Sequence, residues 1–130
     1  MSHQIPIIKI GENLIVSIQT DIDDRTALNL HSALLERIRE TGATGVLIEL
    51  TVLDMVDSFL GRLISDIAVS SAMMNAETVV VGIQPAVAIT LVELGLELKG
   101  VHTALNVEYG MELLAKLKIK RLALEDKEEK

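Results

Sequence analysis

Short apolar runs and helically spaced apolar residues alternate along the chain. Residues 5–10 and 14–18 are β-rich runs on either side of a Gly-Glu-Asn turn at 11–13, which predicts a hairpin. A set of apolar residues then keeps to one helical face until Gly42, a residue that favours a helix end. The members of that set are Ala27, Leu28, Leu30, Leu34, Leu35 and Ile38.

The middle of the chain repeats the order of a strand followed by a helix. Residues 45–50 (GVLIEL) and 78–83 (TVVVGI) are nearly continuous apolar runs, typical of strands covered on both faces. After a loop at 51–57, residues with helical spacing predict a helix. Pro85 opens another helix, closed by Gly95. The spaced residues after the loop are Leu60, Leu63, Ile64, Ile67, Ala68 and Ser71.

The last predicted elements are a short strand at 103–107 and a final helix whose first part is residues 111–117. The order β-β-α-β-α-β-α-β-α implies an α/β fold, with a mostly parallel mixed sheet, an N-terminal hairpin and about four helices. We expect one domain over residues 1–130, with its core at about 5–117. A charged tail at about 119–130 is expected to fray at its end.

Composition narrows the classes of function. The chain of 130 residues has a formal charge of −7 and only two aromatic residues, Phe59 and Tyr109, so nucleic acid is not an expected partner. It has no cysteine, which excludes thiolate catalysis and Cys-based zinc sites. It contains neither a signal peptide nor an apolar run of about 20 residues, so we expect a cytoplasmic protein without a membrane segment.

The polar residues give no sign of an enzyme. His3, His31 and His102 are far apart in sequence. None has an acidic residue or another histidine at the i+4 spacing of a metal site on a helix. The chain lacks a G-x-S-x-G elbow and the glycine-rich phosphate loops. We therefore expect no catalytic residue, no metal and no cofactor, and we interpret the histidines as surface or boundary residues.

Ser58 is the residue in the most informative position. It stands where the helix after the 51–57 loop begins, and that loop carries Asp54 and Asp57. Such ends of parallel strands are where α/β folds present functional groups. Two interpretations remain open: Ser58 and Asp57 are simple helix caps, or the Ser58 hydroxyl is a phosphorylation site.

The electrostatics of a phosphate on Ser58 predict an outward effect. The helix N-terminus favours an anion by about 0.3–1 kcal/mol. A dianionic phosphate roughly 5 Å from the Asp57 carboxylate is repelled by about 2 kcal/mol in a water-like dielectric. Neither contribution is large enough to unfold a domain. The modification is therefore expected to act on docking, by placing about two negative charges on a partner-binding surface.

The predicted helix at 86–94 is apolar almost all round. Only Thr90 and Glu93 are strongly polar, so the helix is either buried or an interface with other proteins. We favour an interface and homo-oligomer formation. Its candidate residues are Val87, Ile89, Leu91 and Val92. Asp21, Asp23 and Asp24 precede the first helix and are interpreted as a solvated capping region, because the other EF-hand ligands are missing.

The segment L-T-V-L-D-M-V-D-S-F at 50–59 resembles the STAS family, the sulfate-transporter and anti-sigma-factor-antagonist domains. The resemblance extends over about 5–117 and includes G-I-Q-P-A-V-A at 82–88 and E-L-G at 93–95. Within that family, four pieces resemble stressosome proteins of the RsbS type. They are Val16-Ser17-Ile18-Gln19, Asp23-Asp24, Thr26-Ala27-Leu28 and Asp57-Ser58-Phe59.

The resemblance implies a non-enzymatic scaffold that assembles with paralogous STAS regulators and holds a serine/threonine switch kinase. Phosphorylation of the serine matching Ser58 would release the kinase, and a phosphatase would reset the system. Asp24, Asp54, Asp57 and Phe59 are the implied docking residues near the switch. Asp24 stands where paralogous regulators carry a phosphorylatable threonine, which implies a permanent negative charge there.

Two other functions stay open on the sequence. One is an anti-sigma-factor antagonist that uses the same serine, although such proteins commonly read D-S-S-G where this chain has Phe59 and Leu60 after Ser58. The other is a ligand-binding or enzymatic domain with a cleft near Asp54 and Asp57.

Overall fold

The computed structural model describes residues 4–19, 22–95, 98 and 100–128. Within them, five strands and four helices follow the predicted order. The elements are β1 (Ile7–Ile10), β2 (Asn13–Ser17), α1 (Asp24–Thr41), β3 (Gly45–Glu49), α2 (Ser58–Met73), β4 (Glu77–Val81), α3 (Pro85–Glu93), β5 (Val101–Ala104) and α4 (Val107–Glu128).

The strands form one mixed sheet in the order β1-β2-β3-β4-β5. β1 is antiparallel to β2, and the remaining neighbours are parallel, as the sequence predicts. Ser17, Glu49, Val81 and Ala104 lie in register across the four parallel strands. The loops that lead into all four helices therefore emerge at the same edge of the sheet.

Side-chain alternation along the strands builds two apolar layers. Val46 and Ile48 of β3 point to the layer shared with α1 and α2, whereas Leu47 points to the layer that contains Leu114 of α4. Both faces of the central strands are thus covered, which explains their continuous apolar sequence. Gly110 allows α4 to approach closely, because a Cβ there would lie 2.6 Å from Val81 Cγ1.

The C-terminal part differs from the prediction. Asn106 Oδ1 accepts a hydrogen bond from the Tyr109 N–H at 3.0 Å, so α4 begins at Val107 and the preceding strand ends at Ala104. β5 also begins at Val101, two residues before the predicted strand, so it includes His102. The charged segment predicted as a frayed tail continues α4 to Glu128, and residues 129–130 lie outside the described part of the chain.

Candidate functional site

Ser58 is the first residue of α2, but it is not the residue that caps it. Asp57 has an extended backbone and its Oδ1 accepts a hydrogen bond from the Leu60 N–H at 2.9 Å. The capping interpretation is therefore correct for Asp57 and wrong for Ser58. The Ser58 hydroxyl is left free of the capping role, at the carboxyl edge of the sheet.

Arg62, one turn along α2, contacts Ser58 twice. Its Nη2 donates to Ser58 Oγ at 3.4 Å, and its Nε donates to the Ser58 carbonyl oxygen at 3.4 Å. The guanidinium is exposed, and Ser58 itself is half-buried. The hydroxyl therefore lies beside a cation at the surface and is not covered by a packed apolar layer.

The loop before Ser58 is held at its first residue, Thr51. The Thr51 N–H donates to Glu49 Oε1 at 2.6 Å, and the Thr51 carbonyl accepts from Gln84 Nε2 at 2.6 Å. Gly82 lies so close that a Cβ there would be 2.2 Å from Thr51 Oγ1 and 3.1 Å from Thr51 Cα. These contacts tie the loop to the ends of β3 and β4.

The same loop then buries one residue and exposes its neighbours. Leu53 is 4% exposed, and its N–H donates to the Leu50 carbonyl at 2.9 Å. Val52 and Met55 are 60% and 71% exposed. The candidate residues Asp54 and Asp57 are also exposed, so the loop presents a mixed acidic and apolar surface directly before Ser58.

The Glu49 side chain, at the carboxyl edge of the sheet, has a shifted pKa. Burial alone would raise the pKa of the Glu49 carboxyl, but hydrogen bonds from Ser17 and Thr51 together outweigh burial and lower it. The Ser17 hydroxyl donates to Glu49 Oε2 at 2.6 Å. The ionised Glu49 carboxylate thus links the ends of β2 and β3 to the first residue of the loop.

A shallow groove of about 360 Å³ lies between α1 and α2, beside Ser58. Asp24 and Leu28 line it from α1, and Phe59, Arg62 and Asp66 line it from α2. Leu28 is 67% exposed, whereas Phe59 is half-buried against the core. The structure therefore brings two predicted docking residues, Asp24 and Phe59, into one groove, with Asp54 and Asp57 on the adjoining loop.

The proposed interface helix divides into two pairs of residues. Val87 and Leu91 are 1% and 6% exposed, so assigning them to an interface is wrong: they pack inside the domain. Ile89 and Val92 are 58% and 79% exposed and remain available to a partner. α3 packs one side against its own domain, and the all-round apolar sequence did not distinguish that side.

The acidic residues before α1 serve that helix. Asp23 is its N-cap, and Asp23 Oδ1 accepts from the Thr26 N–H at 2.8 Å. Asp24 is the first helical residue, where the helix dipole favours a carboxylate. Asp21 lies outside the described residues.

Two histidines have structural neighbours, and His3 lies outside the described residues. His31 Nε2 lies 3.0 Å from Ser70 Oγ, a contact between α1 and α2. His102 Nε2 lies 3.3 Å from Glu77 Oε2, and Glu77 Oε1 also accepts from Arg121 at 2.6 Å. Within the described ranges, no three His, Cys, Asp or Glu side chains form a group that could hold a metal ion.

Sequence reasoning missed Arg62 and the anchoring of Thr51. Arg62 had a usable signal, because residues four apart on a helix are neighbours and Ser58 begins the predicted helix. The contact between Gln84 and Thr51 had none, since it joins the segments that follow two different strands. No helix in the part of the chain that the structure describes is long and apolar enough to cross a membrane.

The chain matches the family model of the STAS domain over residues 4–109, and it belongs to that family. It is 27% identical over 108 residues, 82% of its length, to the RsbT co-antagonist protein RsbRA of Bacillus subtilis (strain 168). The match spans 39% of that relative, so the chain corresponds to well under half of it.

Among solved structures, the fold is closely similar to RsbS S58E of Moorella thermoacetica. The TM-score is 0.78 at 34% identity, covering 89% of this chain and 98% of that one. A second similar chain comes from a solved structure described as the molecular architecture of the stressosome, a signal integration and transduction hub. It matches with a TM-score of 0.75 at 35% identity. That match covers 87% of this chain and 98% of the other. The structure is therefore RsbS-like.

Proposed function

We propose that the chain is a non-enzymatic stressosome scaffold and signalling switch. It binds a serine/threonine switch kinase and releases it when Ser58 is phosphorylated. The observation that carries this proposal is that two adjacent residues at the start of α2 have different roles: Asp57 caps the helix, and Ser58 Oγ remains at the surface. The similar Moorella protein, matched over 89% of this chain and 98% of its own, was solved with the substitution S58E.

The proposed reaction needs only the hydroxyl of this chain. The kinase transfers the γ-phosphoryl group of ATP to Ser58 Oγ, so a new O–P bond forms as the bond to ADP breaks. The hydroxyl proton passes to a base on the kinase. The scaffold supplies an accessible acceptor on a rigid helix end, and a phosphatase removes the group to reset the switch.

The surface around Ser58 supports docking of a partner. Exposed Met55 and Val52 precede it, and Leu28 with half-buried Phe59 forms an apolar part of the nearby groove. Aromatic and aliphatic side chains at the centre of a polar surface are typical anchors of protein interfaces. A kinase that covers this surface would lie directly over the hydroxyl that it modifies.

Release follows from the added charge. Asp57 already places a carboxylate beside Ser58, and Asp24 and Asp66 add two more in the groove. A phosphate there adds about two negative charges that lose water when the surface is covered, so a partner surface without a matching cation loses affinity. The domain itself stays folded, because the cap and the core do not use Ser58 Oγ.

Assembly with paralogous STAS regulators and with further copies of the chain belongs to the same proposal, in a cytoplasmic complex. The stressosome match supports it, as does the exposed apolar pair Ile89 and Val92 on α3. Light scattering after size-exclusion chromatography tests assembly with a larger paralogue. A megadalton particle supports the scaffold, whereas a persistent monomer or dimer supports an anti-sigma-factor antagonist.

The direct test of the switch is incubation with the cognate kinase and ATP, followed by mapping of the phosphate by mass spectrometry. The expected result is one phosphate on Ser58, and none on the chain when Ser58 is replaced by alanine. A phosphate at another position, or no incorporation into the wild-type chain, would overturn the assignment.

A further inference from the structure

We propose that Arg62 binds the phosphate of phosphorylated Ser58, so that the cation that pairs with the modified serine comes from the same helix. This inference rests on the proposed function, because it concerns the modified form of Ser58. It adds a residue and a physical role that the switch itself does not require.

The first argument is proximity in the unmodified chain. Arg62 Nη2 already reaches Ser58 Oγ, and Nε reaches the Ser58 carbonyl, each at 3.4 Å. A phosphate on Oγ would extend three acceptor oxygens from the atom that the guanidinium contacts. Arginine binds such oxygens with two parallel N–H groups, which makes the pair stronger than a neutral hydrogen bond.

The second argument is that Arg62 is not committed to a carboxylate. Among the described residues, Arg39 pairs with Glu36 and Arg121 pairs with Glu77, whereas Arg62 forms no ion pair. Asp66 lines the same groove but makes no hydrogen bond to Arg62 in the described part of the chain. Little has to be broken for the guanidinium to turn to a phosphate.

The third argument is charge. Asp57 caps the helix next to Ser58, so a phosphate there would be repelled without a compensating cation. Arg62 offsets that repulsion, but the same guanidinium already lies beside the neutral hydroxyl in the unmodified chain, so phosphorylation still makes the surface about two charges more negative.

The test measures the phosphate directly on the full chain, with phosphoserine installed at position 58 during translation. The pH titration of the phosphorus-31 NMR signal gives the second ionisation of the phosphate, which lies near 6 for a free phosphoserine. A bound cation stabilises the dianion and lowers that midpoint. We expect Arg62→Gln to raise it by about 0.5, after allowance for solvent screening at an exposed site.

Arg39→Gln is the matched control. Arg39 is also an exposed arginine, but it lies in the last turn of α1, whereas the first turn of that helix is the one at the Ser58 edge of the sheet. It should leave the midpoint at the wild-type value. The NMR signal of the Arg62 Nε–H should also move when Ser58 is phosphorylated, while that of Arg39 stays in place. Circular dichroism checks that each variant is folded.

The outcomes separate this inference from the proposed function. An unchanged midpoint in Arg62→Gln, or an Arg62 Nε–H signal that ignores the phosphate, overturns the inference. Because the phosphate is installed without a kinase, a kinase that fails to modify Ser58 would defeat the proposed switch and leave this measurement intact. A phosphate that pairs with Arg62 and still releases the kinase supports both.

Discussion

The carboxylate of Asp57 accepts a hydrogen bond from the backbone N–H of Leu60 at 2.9 Å. This contact makes Asp57 the structural residue at the start of α2 and leaves its neighbour Ser58 as the candidate signalling residue. Adjacent polar residues at a helix start compete for the same free N–H groups. Asp57 occupies the capping position, so the cap does not depend on the Ser58 hydroxyl.

The first prediction compares the stability of variants at these two positions. Asp57→Ala should lower the free energy of unfolding by about 1 kcal/mol, because it removes the cap of α2. Ser58→Ala should change it by less than about 0.5 kcal/mol, as is usual for a surface substitution. Urea denaturation measures both. Asp57→Asn is the control, since asparagine also caps helices; equal losses in the two alanine variants would contradict the assignment of the cap.

The second prediction concerns binding of the kinase. Ser58→Ala should hold the kinase permanently in the presence of ATP, because the acceptor oxygen is gone and the docking surface is unchanged. Ser58→Asp should weaken binding through its added charge, although less than a phosphate of about two charges. Isothermal titration calorimetry measures both affinities. Equal affinity of the alanine and aspartate variants would count against an electrostatic release.

Much of this architecture can be predicted from the sequence because the hydrophobic period changes with each element. The continuous apolar run at β3 predicts a strand buried on both faces, and residues 46–48 are completely buried. The αL position at Gly42 ends α1 where the glycine predicts. Family resemblance is needed beyond this, since periodicity alone gives an α/β sheet without a function.

The errors have local physical causes. Asn106 caps α4 four residues earlier than the apolar spacing predicts, because a short polar side chain supplies the acceptor that a helix start needs. Val87 and Ile89 are both apolar, and only packing shows that one is buried and the other exposed. The groove between α1 and α2 depends on the approach of two helices whose separation no sequence period encodes.

A third prediction follows from the lowered pKa of Glu49. Its folded pKa lies below the ordinary value of 4.5, so its ionised form stabilises the fold above that value, and the contribution is lost as the pH falls through the lower folded pKa. Glu49→Gln should therefore cost roughly 0.5–1 kcal/mol near neutral pH, a figure reduced by partial solvent exposure. The difference from wild type should shrink in acid. Denaturation at several pH values measures it, with Glu40→Gln on the exposed face of α1 as the control; a pH-independent difference would contradict the argument.

A fourth prediction uses two glycines with similar backbones and different surroundings. Gly82 has a φ of 75°, and Gly11 has a φ of 61°. Gly11→Ala meets nothing within 4 Å, so it should incur only the left-handed backbone cost of about 1–2 kcal/mol. Gly82→Ala adds a clash with Thr51 and should cost more, as well as displacing the loop before Ser58. Thermal unfolding gives the two costs, and hydrogen exchange in residues 51–57 reports the displacement; equal costs and an unmoved loop would show that Thr51 yields freely.

The last prediction makes the same chemical change twice on α3. Val87→Ser removes a buried side chain and adds a hydroxyl to the interior, so it should destabilise the isolated chain by about 2 kcal/mol or more. Val92→Ser alters a side chain that is 79% exposed and should leave stability within about 0.5 kcal/mol of wild type. If α3 meets a partner through its outer side, Val92→Ser, and more strongly its combination with Ile89→Ser, should reduce the mass of the assembly formed with a paralogue. Light scattering measures that mass on chains first shown to be folded. Full assembly by the folded double variant would mean that the partner binds elsewhere, because no apolar residue of this pair would remain to hold it.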